Sequence, residues 1–321
     1  MVERSIPETE RVSTQPQQPD EEVVEQAPGA GQLEELFQNL AREHAEAGMS
    51  LTVPTPRSAP LTRHLDAYKS HIEQAMRIFR SDTEQELSLS YAAEWMLDNI
   101  HIVNQALREV RLDLPPGYYR KLPCLNAGDL QGYPRVYALA RQIVLVEKAH
   151  IDLDEVRHWL MAYQSVSPLK LGELWAVPIM LRLVVVQGLV LAIDRITGLQ
   201  VSKDASLPLL VDHSPTLSDD VVVANSIISL RSLAAYDWKT FFEELSLVEM
   251  LLSRDPSGIY PGMDFDTRDR YRKSLEEIAS AASKGEDETA RMALRLAQAA
   301  LDNNGGNGKV RASRKSMAIP R

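Results

Sequence analysis

Two Asp-x-Asp tripeptides, at residues 264–266 and 152–154, come closest to a known chemical site. Paired carboxylates suit a hard divalent cation, and many sugar-nucleotide transferases use this pattern to hold the metal that carries the nucleotide diphosphate. Each tripeptide, however, stands where a helix is predicted to begin, so helix capping and the helix dipole also explain the acids. A transferase motif would normally follow a strand, and the sequence predicts none. We therefore interpret both tripeptides as helix starts and predict no metal site.

Other catalytic motifs are missing from the sequence. It contains no Gly-rich phosphate loop, no nucleophile elbow and no His-Glu-x-x-His zinc helix. Its seven histidines do not cluster at ligand spacing, and His64 and His71 lie two helical turns apart, too far to share a metal. The sequence therefore predicts no catalytic residue in this chain.

A segment rich in Pro, Gly, Tyr and Arg at residues 115–137 is the best candidate for binding. Tyrosine has a flat apolar face and a hydroxyl group, and arginine adds positive charge, so such a surface could bind a sugar chain or a protein partner. The same rings could instead pin a long connection against the helices on either side. The candidate binding residues are Tyr118, Tyr119, Arg120, Tyr133 and Arg135.

The net charge, the cysteine count and the apolar content of the chain argue against some classes of function. The formal net charge of −10 disfavours nucleic-acid binding, which needs clustered Lys and Arg. The single cysteine, Cys124, excludes an internal disulfide and fits a reducing compartment, where we expect it to be a packed small residue. The first residues lack the basic and then apolar pattern of a secretory signal. An apolar content of 44% is enough for a substantial core.

The apolar residues between the two ends recur at helical spacing, which predicts an all-α fold of about ten helices packed as antiparallel pairs. Residues 1–31 are expected to be a disordered acidic tail and residues 303–321 a disordered basic tail, because neither has apolar periodicity. Residues 32–302 form the helical domain, with a division into subdomains 32–196 and 217–302 as one option.

A long apolar run at residues 174–193 has nearly the length of a membrane span. Arg182 and Gln187 lie in its middle, and a central Arg costs roughly 2.5–3.5 kcal/mol on insertion scales. We therefore expect a central buried helix, with Trp175 and Leu181 in its core, and no transmembrane segment. Pro178 should kink this helix or lie in its first turn.

Several uncommon motifs resemble, in the expected order, the amino-terminal cytoplasmic region of the bacterial cyclic β-1,2-glucan synthases. The resemblance covers roughly residues 65–301. The motifs occupy residues 93–99, 115–123, 132–140, 172–182, 224–231, 237–238 and 263–271.

This resemblance implies a polymerase that uses UDP-glucose as donor and a divalent metal in a transferase domain that lies outside these residues. The chain would then be a non-catalytic region, in the form of a fragment, split gene or diverged copy. It would need no cofactor of its own and would work in the cytoplasm at the inner face of the inner membrane. Its partner would be the membrane and transferase part of the synthase, in cis or from a neighbouring gene. The alternative is a free-standing helical adaptor that binds a protein partner.

Overall fold

The computed structural model describes residues 29–51, 61–84, 91–199 and 217–315. Within these ranges the fold is all-α, as predicted. The helices are α1 (Ala30–Ala47), α2 (Leu65–Glu84), α3 (Tyr91–Asp113), α4 (Pro116–Tyr119), α5 (Arg135–Val146), α6 (Leu153–Val166), α7 (Leu171–Thr197), α8 (Asp219–Ala235), α9 (Trp238–Leu245), α10 (Leu247–Leu252), α11 (Phe265–Ala281) and α12 (Glu286–Lys315). A 3-10 turn lies at Tyr260–Gly262.

The predicted central helix is confirmed as α7, which packs against α2, α3, α5, α8 and α9. Two of its polar side chains, Arg182 and Gln187, are buried, and each makes a hydrogen bond. Arg182 donates from Nη2 to the carbonyl of Leu233 at 2.9 Å, and Gln187 accepts a hydrogen bond of 2.9 Å from the hydroxyl of Tyr137. These partners explain how a helix that is apolar almost all round can carry two polar side chains at the centre of the fold.

By length and composition, α7 is the one helix of the described ranges that could cross a membrane, and 94% of its most apolar window is buried inside the protein. Such burial is typical of a core helix. Pro178 lies inside the helix rather than in its first turn. Because proline has no backbone N–H, the helix loses one internal hydrogen bond at this position.

The other helices also pack on one another, among them α1 on α6, α3 on α8, α2 on α3 and α11 on α12. One hydrophobic core runs through the structure, with members from Phe37 on α1 to Ala290 on α12. The division into two subdomains stays a prediction.

Two short strands depart from the expectation that the chain has none. Strands β1 (Met49–Leu51) and β2 (Pro123–Leu125) pair antiparallel, with Ser50 opposite Cys124. Three residues are too few to show an alternating pattern in the sequence. Cys124 is buried here, as predicted for a packed small residue.

The helix count also differs from the predicted ten. Helix α4 is a single turn that begins at Pro116. Helices α9 and α10 are separated only by Ser246, whose side chain accepts a hydrogen bond from the N–H of Glu249 and so caps the start of α10. At the carboxyl end, α12 continues to Lys315, into the segment predicted as a tail. Once a helix is nucleated, each further residue adds one backbone hydrogen bond. Residues 1–28 and 316–321 lie outside the described residues.

Candidate functional site

A cavity of about 590 Å³ lies beside the amino-terminal half of α7. Side chains from α7, α9 and α11 form most of its wall, and Tyr118 of α4 and Glu286 of α12 are among the residues at its rim. The site is therefore built from helices that are far apart in the sequence. It combines aromatic rings with charged groups of both signs.

Aromatic rings form one wall of the cavity. Trp175 on α7 stacks on Phe242 of α9, with ring centres 4.4 Å apart and planes inclined by 19°. Phe265, the first residue of α11, meets Trp175 edge-on at 6.2 Å. Trp238 lies nearby and donates its indole N–H to the carbonyl of Leu233 at 2.9 Å. Trp175, Trp238 and Phe265 are only half-buried, so Trp175 lines the cavity rather than belonging to the central core, which corrects the sequence expectation. Leu181 is fully buried, as expected.

Arg272 of α11 is a deeply buried cation at the cavity, with 1% of its surface exposed. Its Nη1 donates to Glu249 at 2.7 Å and to Glu243 at 3.3 Å, and its guanidinium lies 4.8 Å from the centre of the Phe265 ring. Its Nε and Nη2 are buried and have no hydrogen-bond partner among the described residues, although Nη2 lies 3.6 Å from a carboxylate oxygen of Asp269. The N–H groups on these two nitrogens therefore have no hydrogen-bond acceptor among the described residues.

Arg182 of α7 is a second buried guanidinium in the wall. Its Nε lies 3.0 Å from a carboxylate oxygen of Glu109, and its guanidinium faces the Trp238 ring at 5.9 Å. Burial lowers the pKa of Arg182, and the nearby Glu109 carboxylate opposes this shift. Burial likewise raises the pKa of Asp113, which lines the same wall. Each cation in this part of the wall already has an acidic neighbour.

Two contacts fix the start of α7 at the cavity rim. The hydroxyl of Tyr118 donates to the carbonyl of Gly172 at 2.6 Å, and a carboxylate oxygen of Glu286 accepts from the N–H of Leu171 at 2.8 Å. A carboxylate suits this place, because the first N–H groups of a helix have no partner within the helix. Burial raises the pKa of Glu286, although the hydrogen bond from Leu171 opposes this shift.

A buried ion pair joins α5 to the amino-terminal part of α7, next to the cavity. Arg135 on α5 donates from Nε and Nη2 to the two carboxylate oxygens of Glu173, at 2.6 and 2.7 Å. It also donates to the hydroxyl of Ser167 at 2.8 Å and to the carbonyl of Pro168 at 2.7 Å. Because Glu173 lines the cavity, this network positions one part of its wall.

The five residues predicted as a binding surface do not form one. Tyr119 and Arg135 are fully buried, which corrects their assignment to a surface. Tyr133 is half-buried and packs on another tyrosine, and Arg120 is exposed but does not line the cavity. Only Tyr118 lies at the cavity. The physical reason is that proline and tyrosine rings here hold a connection against the helices, the second interpretation that the sequence left open.

Both Asp-x-Asp tripeptides are helix starts, as predicted. Asp264 caps α11 by accepting a hydrogen bond of 2.8 Å from the N–H of Thr267, and this bond lowers the pKa of Asp264. Asp266 is exposed and lies 3.8 Å from Nζ of Lys239. Asp152 caps α6 in the same way, by accepting hydrogen bonds from the N–H groups of Asp154 and Glu155, and its own N–H donates to Glu147 at 2.9 Å. No group of three or more His, Cys, Asp and Glu side chains in the described ranges is arranged to hold a metal ion.

Four of the motifs that carry the resemblance meet at this cavity. They contribute Tyr118 and Lys121, the stretch from Gly172 to Arg182, Trp238, and Phe265 with Asp269. Sequence reasoning missed the cavity because these residues lie on separate helices. The available signal was the aromatic residue within each motif, in a chain with only 6% aromatic residues.

Comparison with known proteins gives one informative match. No family model matches the chain. The chain is 25% identical over 302 residues to the cyclic beta-(1,2)-glucan synthase NdvB of Rhizobium meliloti (strain 1021). The match covers 73% of this chain but only 11% of that protein. The similarity supports relatedness between this chain and the cyclic β-(1,2)-glucan synthases.

Proposed function

We propose that the chain acts as a non-catalytic helical region of a cyclic β-(1,2)-glucan synthase, equivalent to the amino-terminal cytoplasmic region of that enzyme. It would support the membrane and transferase part of the synthase, in cis or from a neighbouring gene. The observation that carries this proposal is the meeting of four resembling motifs at one cavity. Residues that act at one site must lie together in space, and these motifs do so although they are far apart in the sequence.

The non-catalytic role is supported by what the acidic tripeptides do. The carboxylate of Asp264 is used as a helix cap, and Asp266 is an exposed side chain beside Lys239. Neither lines the cavity. UDP-glucose and a divalent metal would bind in the transferase part, and this chain would act at the cytoplasmic face of the inner membrane.

Two measurements test this proposal. Purified chain, incubated with labelled UDP-glucose and Mg²⁺ or Mn²⁺, should form neither glucan nor protein-bound glucose. Deleting its coding sequence from the source organism should lower the cellular content of cyclic β-1,2-glucan, measured by mass spectrometry. Incorporation of glucose by the purified chain would contradict the non-catalytic role. An unchanged glucan content in the deletion strain would contradict any role in glucan synthesis and would favour an adaptor with another partner.

A further inference from the structure

We propose that the cavity beside α7 binds an uncharged oligosaccharide. The chemistry is argued from the cavity, while the biological meaning of such a ligand rests on the proposed function. Three features of the wall carry the inference. They are the half-exposed aromatic rings, the balance of charge, and the unused hydrogen-bond donors of Arg272.

The aromatic wall offers flat apolar surface at the cavity. Trp175, Trp238 and Phe265 are half-buried and line it from three helices. A sugar ring has an apolar C–H face that packs on such rings, while its rim of hydroxyl groups remains free for hydrogen bonds. Ligand sites commonly combine apolar walls with a few placed polar groups, and the volume of about 590 Å³ lies within their usual range.

The charge around the cavity favours a neutral ligand over an anion. Five cationic and five acidic side chains line it. The two buried guanidinium groups already have carboxylate partners, Glu249 for Arg272 and Glu109 for Arg182. A phosphate or nucleotide would therefore meet nearby carboxylates and gain little net attraction. Hydroxyl groups can accept from the cations and donate to the acids, so they suit a wall of mixed sign. The cationic residues are Lys121, Lys170, Arg182, Arg272 and Lys273, and the acidic residues are Asp113, Glu173, Asp269, Glu276 and Glu286.

The guanidinium of Arg272 supplies a specific recognition element. Its Nε and Nη2 are buried without a hydrogen-bond partner among the described residues, although the Asp269 carboxylate lies 3.6 Å from Nη2, and the side chain lines the cavity. Buried N–H groups without partners are uncommon in native proteins, because leaving them unpaired is costly. Nε and Nη2 form one edge of a planar fork, which matches two adjacent acceptor oxygens. Neighbouring hydroxyl groups of a sugar ring provide such a pair.

Calorimetric titration of the full chain tests the proposal directly. The probes are linear β-1,2-linked glucose oligomers, β-1,4-linked glucose oligomers of the same length, UDP and inorganic phosphate. We expect a β-linked oligomer of at least one of these series to bind, and UDP and phosphate to bind more weakly or not at all. Binding should also change the tryptophan fluorescence, because Trp175 and Trp238 line the cavity.

Variants show whether binding uses this cavity. Trp238→Ala should weaken oligomer binding by about tenfold or more, and Arg272→Lys, which keeps the charge but removes the fork, should do the same. Trp95→Ala is the matched control, because Trp95 is also half-buried but does not line the cavity. Melting temperatures of all variants are measured first, and affinities are compared only between folded proteins.

Three results would overturn the inference. They are the absence of binding by every oligomer, tighter binding of UDP or phosphate than of any oligomer, and equal affinities for wild type, Trp238→Ala and Arg272→Lys. These failures are distinguishable from failure of the proposed function. The deletion strain would still lose glucan if the chain supported the synthase without binding sugar.

Discussion

Replacement of Glu173 by glutamine tests how the cavity wall is held in place. The substitution keeps the size of the side chain but removes the negative charge that faces Arg135. Both partners are buried, with 0% of the Glu173 side chain and 3% of the Arg135 side chain exposed, and both carboxylate oxygens accept hydrogen bonds from the guanidinium. Breaking such a pair from one side leaves a buried charge without compensation. The expected loss in the free energy of unfolding is about 3–5 kcal/mol.

Urea denaturation followed by circular dichroism measures this loss. Glu73→Gln is the matched control, because Glu73 forms an exposed pair with Lys69 on α2 at 3.9 Å. Exposed pairs of this kind contribute only about 0.3–0.5 kcal/mol. The double variant Arg135→Met with Glu173→Leu should be destabilised by less than the sum of the losses for the single variants Arg135→Met and Glu173→Leu, because the charges then disappear together.

Two results would refute this reasoning. One is a decrease in the free energy of unfolding for Glu173→Gln that is no larger than the decrease for Glu73→Gln. The other is strict additivity of the two single variants in the double variant. Either result would mean that the pair does not hold α7 against α5.

Three further predictions concern stability. Leu181→Ala should lower the free energy of unfolding, measured by urea denaturation, by about 2–5 kcal/mol. Leu112→Ala, at a position 74% exposed, should leave the denaturation midpoint nearly unchanged. Equal midpoints for the two variants would contradict the assignment of Leu181 to the core. Asp152→Ala should cost about 0.5–2 kcal/mol through loss of the α6 cap, and Asp152→Asn should retain most of that stability. Burial raises the pKa of Glu147 from 4.5 to about 7, because the folded protein favours the protonated, neutral carboxyl group. The stabilisation from this protonated group is therefore fully present below pH 4.5 and is lost as the pH rises through about 7. Glu147→Gln should remove this part of the pH dependence, and an unchanged pH profile would contradict it.

Much of the fold follows from local patterns in the sequence. The central helix was predictable because its apolar run is too long for an ordinary amphipathic helix and is interrupted by Arg182 and Gln187. The caps at Asp152 and Asp264 were predictable because an acid before a helical pattern has few other roles. The central helix and the caps depend on residues that are close together in the sequence, so they can be predicted from a single sequence.

The candidate site depends instead on distant contacts. Trp175, Trp238 and Phe265 meet at the cavity, although they lie on three helices and are separated by up to 90 positions in the chain. Arg135 and Tyr119 were assigned to a surface because their residue types are usually exposed or partly exposed, and their burial depends on Glu173 and on the packing of the connection. Helical periodicity carries no information about which helix faces meet.

The most direct test of the account is the cyclic β-1,2-glucan content of a deletion strain that expresses one of three versions of the chain. The versions are wild type, Trp238→Ala and the control Trp95→Ala, each confirmed by immunoblot to be equally abundant. We expect wild type and Trp95→Ala to restore the glucan and Trp238→Ala not to restore it. Full restoration by Trp238→Ala would contradict a role for the cavity in glucan synthesis.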